Sequence, residues 1–242
     1  VEDPSIYVKF ELVDREREDE RSESSERASG DDGPASYLVI WTTTPWTIPA
    51  NTFVAVDAEA TYQAVEAERD GETEVLYLEE SCVEDVIERG GYDGYELLEE
   101  LSGSELVGWT YEHPLREEVP DAPDFEGALE VYEADYVEAD RTGLVHSAPG
   151  HGEEDFARGQ ELDLEIFCPV DGDGTYTDAA GKYAGTFVRE ANDDVIADLD
   201  ANGHLLSSEQ GHTVREGQCW RCDTDIVRIV TDHWFITVTD IK

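Results

Sequence analysis

Apolar and polar residues alternate through VEDPSIYVKFELV at residues 1–13, with Ile6, Val8 and Phe10 on one side, the spacing of a strand face. Residues 35–41 carry Tyr37, Leu38, Val39 and Ile40 in succession, as a buried strand does. Between them, DREREDERSESSERASGDDG at 14–33 has no apolar face and is low in complexity, which predicts a solvated loop. Further strands are expected at 52–56, at 62–65, at 74–78 after the turn Asp70-Gly71, at 106–111 and at 129–137. Short helices are expected at 83–89, 95–101 and 188–200, the last closed by Asn202-Gly203. Residues 226–238 alternate strongly, through Val227, Ile229, Trp234, Ile236 and Val238, as a final strand. Many short strands with few short helices predict a mainly β fold, a closed β-barrel with several short peripheral α-helices. The boundaries expected are a connecting strand and acidic loop at 1–34, the barrel at 35–212 and a connecting segment at 213–242.

Two segments carry more polar chemistry than a barrel needs. TTTPWTIPAN at 42–51 sets Thr42, Thr43, Thr44, Thr47 and Asn51 around Pro45 and Pro49. The prolines argue against a ladder or a helix, so an irregular loop with available hydroxyls is expected. RTGLVHSAPGHGEEDF at 141–156 reads as a short buried strand at Leu144 and Val145, then a glycine-bracketed loop holding His146 and His151, then a helix starting at Glu153, Glu154 and Asp155 and running to about Gly159. Carboxylates suit a helix's first turn because its exposed N–H groups carry partial positive charge. Either segment alone fits a binding loop or a plain connection at a sheet rim equally well.

Composition narrows the setting. Hydrophobic content is 39%, yet 5 Trp, 11 Tyr and 7 Phe are too many for a disordered chain. Sixty acidic residues against 16 Lys and Arg give a net charge of −44, and the lysines are Lys9, Lys182 and Lys242. The acids run through every segment, unlike the block of an acidic tail, so the expected setting is a highly saline cytosol that screens self-repulsion. Four cysteines, Cys82, Cys168, Cys219 and Cys222, and no signal peptide predict a reducing, cytoplasmic location. No apolar run approaches a bilayer span, so no membrane partner is expected. Cys219 and Cys222 have metal-ligand spacing, but zinc takes four ligands and neither Cys82 nor Cys168 completes the pattern.

Together WTTTPWTIPAN and TGLVHSAPGHGEEDF resemble the paired signatures of the editing domain, CP1, inserted in class I isoleucyl-tRNA synthetases. DPSIYVKF, ELVGWTYEHPL, VYEADYV, REANDDVIADLDANGHLL, CWRC and HWFI extend the likeness along the chain. The valyl and leucyl relatives typically carry Arg-Pro-Glu or Arg-Pro-Asp after two threonines, where this chain has Thr44-Pro45-Trp46. Arg141 departs from the family's usual glycine, and the acidic insert at 14–33 is peculiar to this sequence. Neither the HIGH nor the KMSKS signature of the ATP-binding aminoacylation site occurs, so the resemblance implies an excised insertion domain.

What the resemblance implies is hydrolysis of mischarged Val-tRNA(Ile). One methylene separates isoleucine from valine, and this family is itself the standard illustration that such a difference is worth only about 150-fold in selection. By resemblance Asp155 receives the substrate ammonium, His146 limits the side-chain pocket and orients water, and Trp46 forms a wall. Thr42, Thr43, Thr44 and Thr47, with Asn51, meet the terminal adenosine and the attacking water. The implied mechanism is direct attack by a positioned water, without a nucleophilic side chain. The implied partners are the tRNA(Ile) acceptor end carrying a mischarged amino acid and the remainder of the parent synthetase. No cofactor is expected: in the family a second cysteine pair lies upstream, so Cys219 and Cys222 form half a zinc site. Other readings are an acidic interaction or spacer module without catalysis, and a Thr-tRNA(Val) editing domain of a valyl enzyme, which Thr44-Pro45-Trp46 disfavours.

Overall fold

The computed structural model describes residues 2–13, 33–213, 217–221 and 226–231. Its strands, in chain order, are β1 (Glu2–Glu11), β2 (Ser36–Thr42), β3 (Phe53–Val56), β4 (Thr61–Arg69), β5 (Glu72–Glu79), β6 (Gly94–Ser102), β7 (Glu130–Glu133), β8 (Leu144–Ser147) and β9 (Leu205–Thr213). The helices are α1 (Val83–Gly90), the single turn α2 (Gly103–Leu106), α3 (Glu153–Glu161) and α4 (Asn192–Ala201), with 3-10 segments at Pro45–Ala50, Glu80–Cys82 and Asp178–Tyr183. A six-stranded sheet runs β6-β4-β5-β2-β1-β9, and a three-stranded sheet runs β7-β3-β8. The fold is mainly β with a few short helices, as expected. The hydrogen-bonded ladders among the described residues make these two sheets rather than one ring.

Period-two alternation explains how β1 and β2 divide two cores. Ile6, Val8 and Phe10 face the same cluster as Leu38 and Ile40, while Tyr7 and Val39 face a second cluster with Val65, Leu76, Val83 and Val86 beneath α1. All four residues of β3 are buried, Val54 and Val56 in the main core and Phe53 and Ala55 in a third cluster. Each fully buried large aliphatic side chain contributes about 1.5–3 kcal/mol, so the ends of β2, β3 and β8 are held by a rigid interior. Among the described residues, no helix is long and apolar enough to cross a membrane.

Several local expectations are corrected. Residues 95–101 form strand β6 instead of a helix, because their antiparallel pairing with β4 overrides the helical preference of a Leu- and Glu-rich run. Residues 42–51 are more regular than their prolines suggested, since Pro45–Ala50 is a 3-10 helix. Pro45 occupies a first-turn position where no N–H is needed, and the backbone bonds Thr47 N to Thr44 O and Asn51 N to Ile48 O bypass Pro49. At 106–111 the chain leaves α2 at Leu106 and makes isolated bridges through Thr110 and Tyr111 in place of a strand. Residues 226–231 belong to no strand; the rest of that expected strand, and the loop at 14–32, lie outside the described residues.

Candidate active site

The antiparallel pairing of β3 with β8 sets Phe53 opposite Ser147 and Val54 opposite His146, which brings Asn51, just before β3, to the ring of His146. His146 therefore sits on a strand, not in the loop the sequence suggested. Its edge meets Phe10 at 6.5 Å between ring centroids. Thr42 ends β2 and leads directly into the 3-10 helix, so the threonines lie against the same end of β8.

Both ring nitrogens of His146 have partners. Asn51 Nδ2 lies 2.8 Å from His146 Nδ1 and donates to Phe53 O at 3.1 Å, while Tyr111 O–H donates to Asn51 Oδ1 at 2.6 Å. His146 Nε2 is 3.0 Å from Thr47 Oγ1, which donates to Thr44 O at 2.8 Å. Thr44 N donates to Thr42 Oγ1 at 3.1 Å, and the Thr42 and Thr44 hydroxyls are also 3.1 Å apart. Burial pushes the His146 imidazole down to about 3, so the ring is neutral at physiological pH. Behind the 3-10 helix, His113 is buried, is pushed down to about 4, and hydrogen-bonds Ile48 O at 3.1 Å.

Asp155 reaches the same end of β8 from the opposite side. After β8 the chain turns through His151 N and Gly152 N, both donating to Ala148 O, and enters α3 with Glu153, Glu154 and Asp155 in its first turn. Asp155 Oδ2 accepts from Ala148 N at 3.0 Å. Burial raises its pKa above the ordinary carboxylate value, opposed by the Ala148 N–H and the Ser147 hydroxyl. A Cβ on Gly152 would stand 2.4 Å from Asp155 Oδ2, so only glycine lets the carboxylate fold back here. Gly152→Ala should displace that carboxylate and leave the Ala148 N–H without its acceptor, at a cost of about 1–3 kcal/mol in stability. A thermal melt would check it, with an unchanged melting temperature as the contrary result.

These groups surround one cavity of about 460 Å³. Thr42, Thr43, Thr44, Trp46, Thr47, His146 and Asp155 all line it, so the two motif segments, far apart in sequence, close over one cleft. Asn51 is fully buried behind the wall and meets it through His146. Trp46 belongs both to the cavity wall and to the main core; its N–H donates to Asn192 Oδ1 at 3.0 Å and its carbonyl accepts from Tyr176 O–H. Its ring meets His151 edge-on at 5.1 Å. His151 Nδ1 donates to Arg228 O at 3.1 Å, and its Nε2, like Trp46 Nε1, is buried with no partner among the described residues. The wall thus carries an unspent donor and an unspent acceptor beside a carboxylate and a row of hydroxyls.

The sequence places His151 in the candidate loop, without a role; it does not mark Tyr111, His113, Tyr176 and Asn192 as neighbours of this site. Tyr111 and His113 sit in a segment read as strand and turn and as part of the resemblance, and nothing in their spacing signals that they pack behind residues 42–51. Arg141 adopts φ 59, the left-handed region glycine enters freely, and its guanidinium stacks 4.7 Å over Trp41, which also lines the cavity. The turn before β8 therefore keeps a glycine-like backbone despite the substitution. Cys219 is partly exposed, and Cys222 lies outside the described residues. Among the described residues no three His, Cys, Asp or Glu side chains are grouped to hold a metal ion.

The fold is that of synthetase editing domains. The crystal structure of GlLeuRS-CP1 matches with a TM-score of 0.62 at 17% identity, over 83% of this chain and 97% of that one. The Plasmodium knowlesi cytosolic leucyl-tRNA synthetase editing domain matches at 0.58 and 13% identity, over 85% and 96%. No family model matches the chain. Its sequence relatives are isoleucine--tRNA ligases: that of Haloarcula marismortui is 71% identical over 99% of this chain, that of Halobacterium salinarum 58% over all of it, and that of Archaeoglobus fulgidus 45% over all of it. The chain belongs to the isoleucine--tRNA ligases, as a segment about a fifth the length of the relatives it matches.

Proposed function

We propose that this cavity hydrolyses the ester of mischarged Val-tRNA(Ile), as the post-transfer editing site of an isoleucyl-tRNA synthetase. The observation that carries the reading is the convergence of the Thr42–Thr47 hydroxyls and the Asp155 carboxylate on one cleft of about 460 Å³, a size suited to a small ligand such as a terminal nucleoside with its amino acid. Asp155, anchored by the Ala148 N–H, offers a charged acceptor to the substrate ammonium, and such a short-range bond forms even where salt screens longer-range forces. Binding a cation beside it favours its ionised form against the burial that raises its pKa.

Both ring nitrogens of His146 are engaged, by Asn51 and by Thr47, so His146 works as a fixed wall that limits the side chain admitted. Trp46 forms the wall beside it, and Asn51 holds His146 from behind. The hydroxyls of Thr42, Thr43, Thr44 and Thr47 both donate and accept, which lets them align the adenosine and a water without becoming nucleophiles. Holding that water against an ester already activated by its neighbouring ammonium is a contribution of positioning. No cofactor enters this reaction.

At a net charge of −44, tRNA is recognised locally, by insertion of its CCA end, and the synthetase body delivers that end in the cytoplasm. Closure of the two sheets into one barrel is part of the same reading, supported by the packing of β2 against β8. The test is release of valine from Val-tRNA(Ile) by the protein in molar KCl. Release above the uncatalysed rate is expected, and a rate equal to the protein-free control would contradict the reading.

A further inference from the structure

The hydrogen-bond chain behind the cavity has a direction, and one atom outside both motif segments sets it. Phe53 O is a backbone carbonyl and can only accept, so the nitrogen of the Asn51 amide must face it, at 3.1 Å. That orientation turns Asn51 Oδ1 to Tyr111, whose hydroxyl donates at 2.6 Å, and leaves the second Asn51 N–H for His146 Nδ1 at 2.8 Å. A ring nitrogen that accepts carries no proton, so the single proton of neutral His146 sits on Nε2 and is donated to Thr47 Oγ1 at 3.0 Å. Thr47 then spends its own proton on Thr44 O at 2.8 Å, and its remaining lone pair faces the Thr44 hydroxyl 3.3 Å away. Every donor from Tyr111 to Thr47 points the same way, toward the threonines that line the cavity.

We propose that Tyr111 is a positioning residue for the hydrolytic site: it holds Asn51 in the orientation that Phe53 O sets, and Asn51 in turn locks His146 in the Nε2–H tautomer, which directs the Thr47 hydroxyl to Thr44 O. Two consequences follow for chemistry. His146 presents no lone pair to a ligand and does not take a proton from water. The Thr47 hydroxyl has its donor and acceptor sides assigned before substrate arrives, an ordering that costs nothing at the moment of reaction. Tyr111 touches neither the cavity nor the substrate; it is fully buried against Phe10, at 5.2 Å between ring centroids.

The inference rests on the editing reading for its kinetic consequence but not for its structural one, so the two fail separately. With ¹⁵N-labelled histidine in the whole chain, the His146 signals should show Nδ1 as pyridine-type and Nε2 as pyrrole-type, unchanged across neutral pH. Tyr111→Phe removes only the hydroxyl. With Phe53 O still orienting the Asn51 amide, the variant should keep the Nε2–H tautomer, shift and broaden the His146 signals as Asn51 loosens, and lower kcat for Val-tRNA(Ile) by about tenfold, the scale of a small misplacement of reacting groups, with KM little changed. Asn51→Asp, whose carboxylate can only accept from the ring, should move the proton to Nδ1 outright and lower kcat further. A pyrrole-type Nδ1 in the wild-type protein would overturn the proposal, as would a Tyr111→Phe variant with unchanged His146 signals or the wild-type kcat. A wild-type protein with the expected tautomer but no deacylation would defeat the editing reading and leave the lock standing.

Discussion

Replacing Asp155 with alanine is expected to lower hydrolysis of Val-tRNA(Ile) by roughly 30- to 5,000-fold, because truncating one member of a desolvated charge pair costs about 2–5 kcal/mol. The fold should survive. Asp155 is half-buried in the first turn of a helix, and its Oδ2 holds a single backbone N–H, that of Ala148, at 3.0 Å. Asparagine makes the sharper test, since it can still accept from that N–H while carrying no charge. Burial raises the Asp155 pKa in the folded protein, so the folded state holds its proton more tightly than the unfolded state does. The ionised carboxylate therefore subtracts from stability, and the deficit sets in as pH rises through the folded-state pKa. Asp155→Asn should accordingly melt at a higher temperature than wild type at neutral pH, and that advantage should close as pH falls below the ordinary carboxylate range. Loss of turnover together with a gain in melting temperature is the mark of a functional charge held at a cost to the fold. An Asp155→Asn protein that hydrolyses normally would remove Asp155 from the site.

Withdrawing salt should have an effect as large, on the whole molecule. Even with every Lys and Arg paired, an excess of 44 negative charges remains, and the Debye length grows from about 3 Å at 1 M to about 30 Å at 0.01 M. The weakest place is identifiable. In the β4–β6 ladder Glu66 stands directly opposite Glu96, a like-charge pair that disfavours the pairing, and residues 94–100 of this edge strand are all exposed. Hydrogen exchange along a falling KCl series should show β6 losing protection first, while β1 and β2, with buried residues on both faces, hold until global unfolding. Stability that is flat or rises as KCl is withdrawn would contradict the saline reading.

How much of this was legible in the chain depended on how local the physics was. The β1 alternation, the Asp70-Gly71 turn, α1 and the strand–turn–helix around Asp155 are set by neighbours in sequence, and each was readable there. β6 was not, because YELLEEL has helical preferences and becomes a strand only by pairing with β4. The position of His146 on β8 could not be read either, since the glycines after it resemble the loop they actually begin a few residues later. At the cavity, the threonines, Trp46, His146 and Asp155 were legible as residue types in motifs. Tyr111, His113, Tyr176 and Asn192 were not, for each meets the 3-10 helix or Asn51 across at least 60 residues of chain.

The most direct measurement is the rate of deacylation of tRNA(Ile) charged with valine against the same tRNA charged with isoleucine, with threonyl-tRNA(Val) as a third substrate, in molar KCl. A cleft walled by His146 and anchored by Asp155 predicts that the valyl ester is cleaved while the isoleucyl ester, one methylene larger, is spared. Equal rates for valine and isoleucine, or hydrolysis of the threonyl ester alone, would contradict the account.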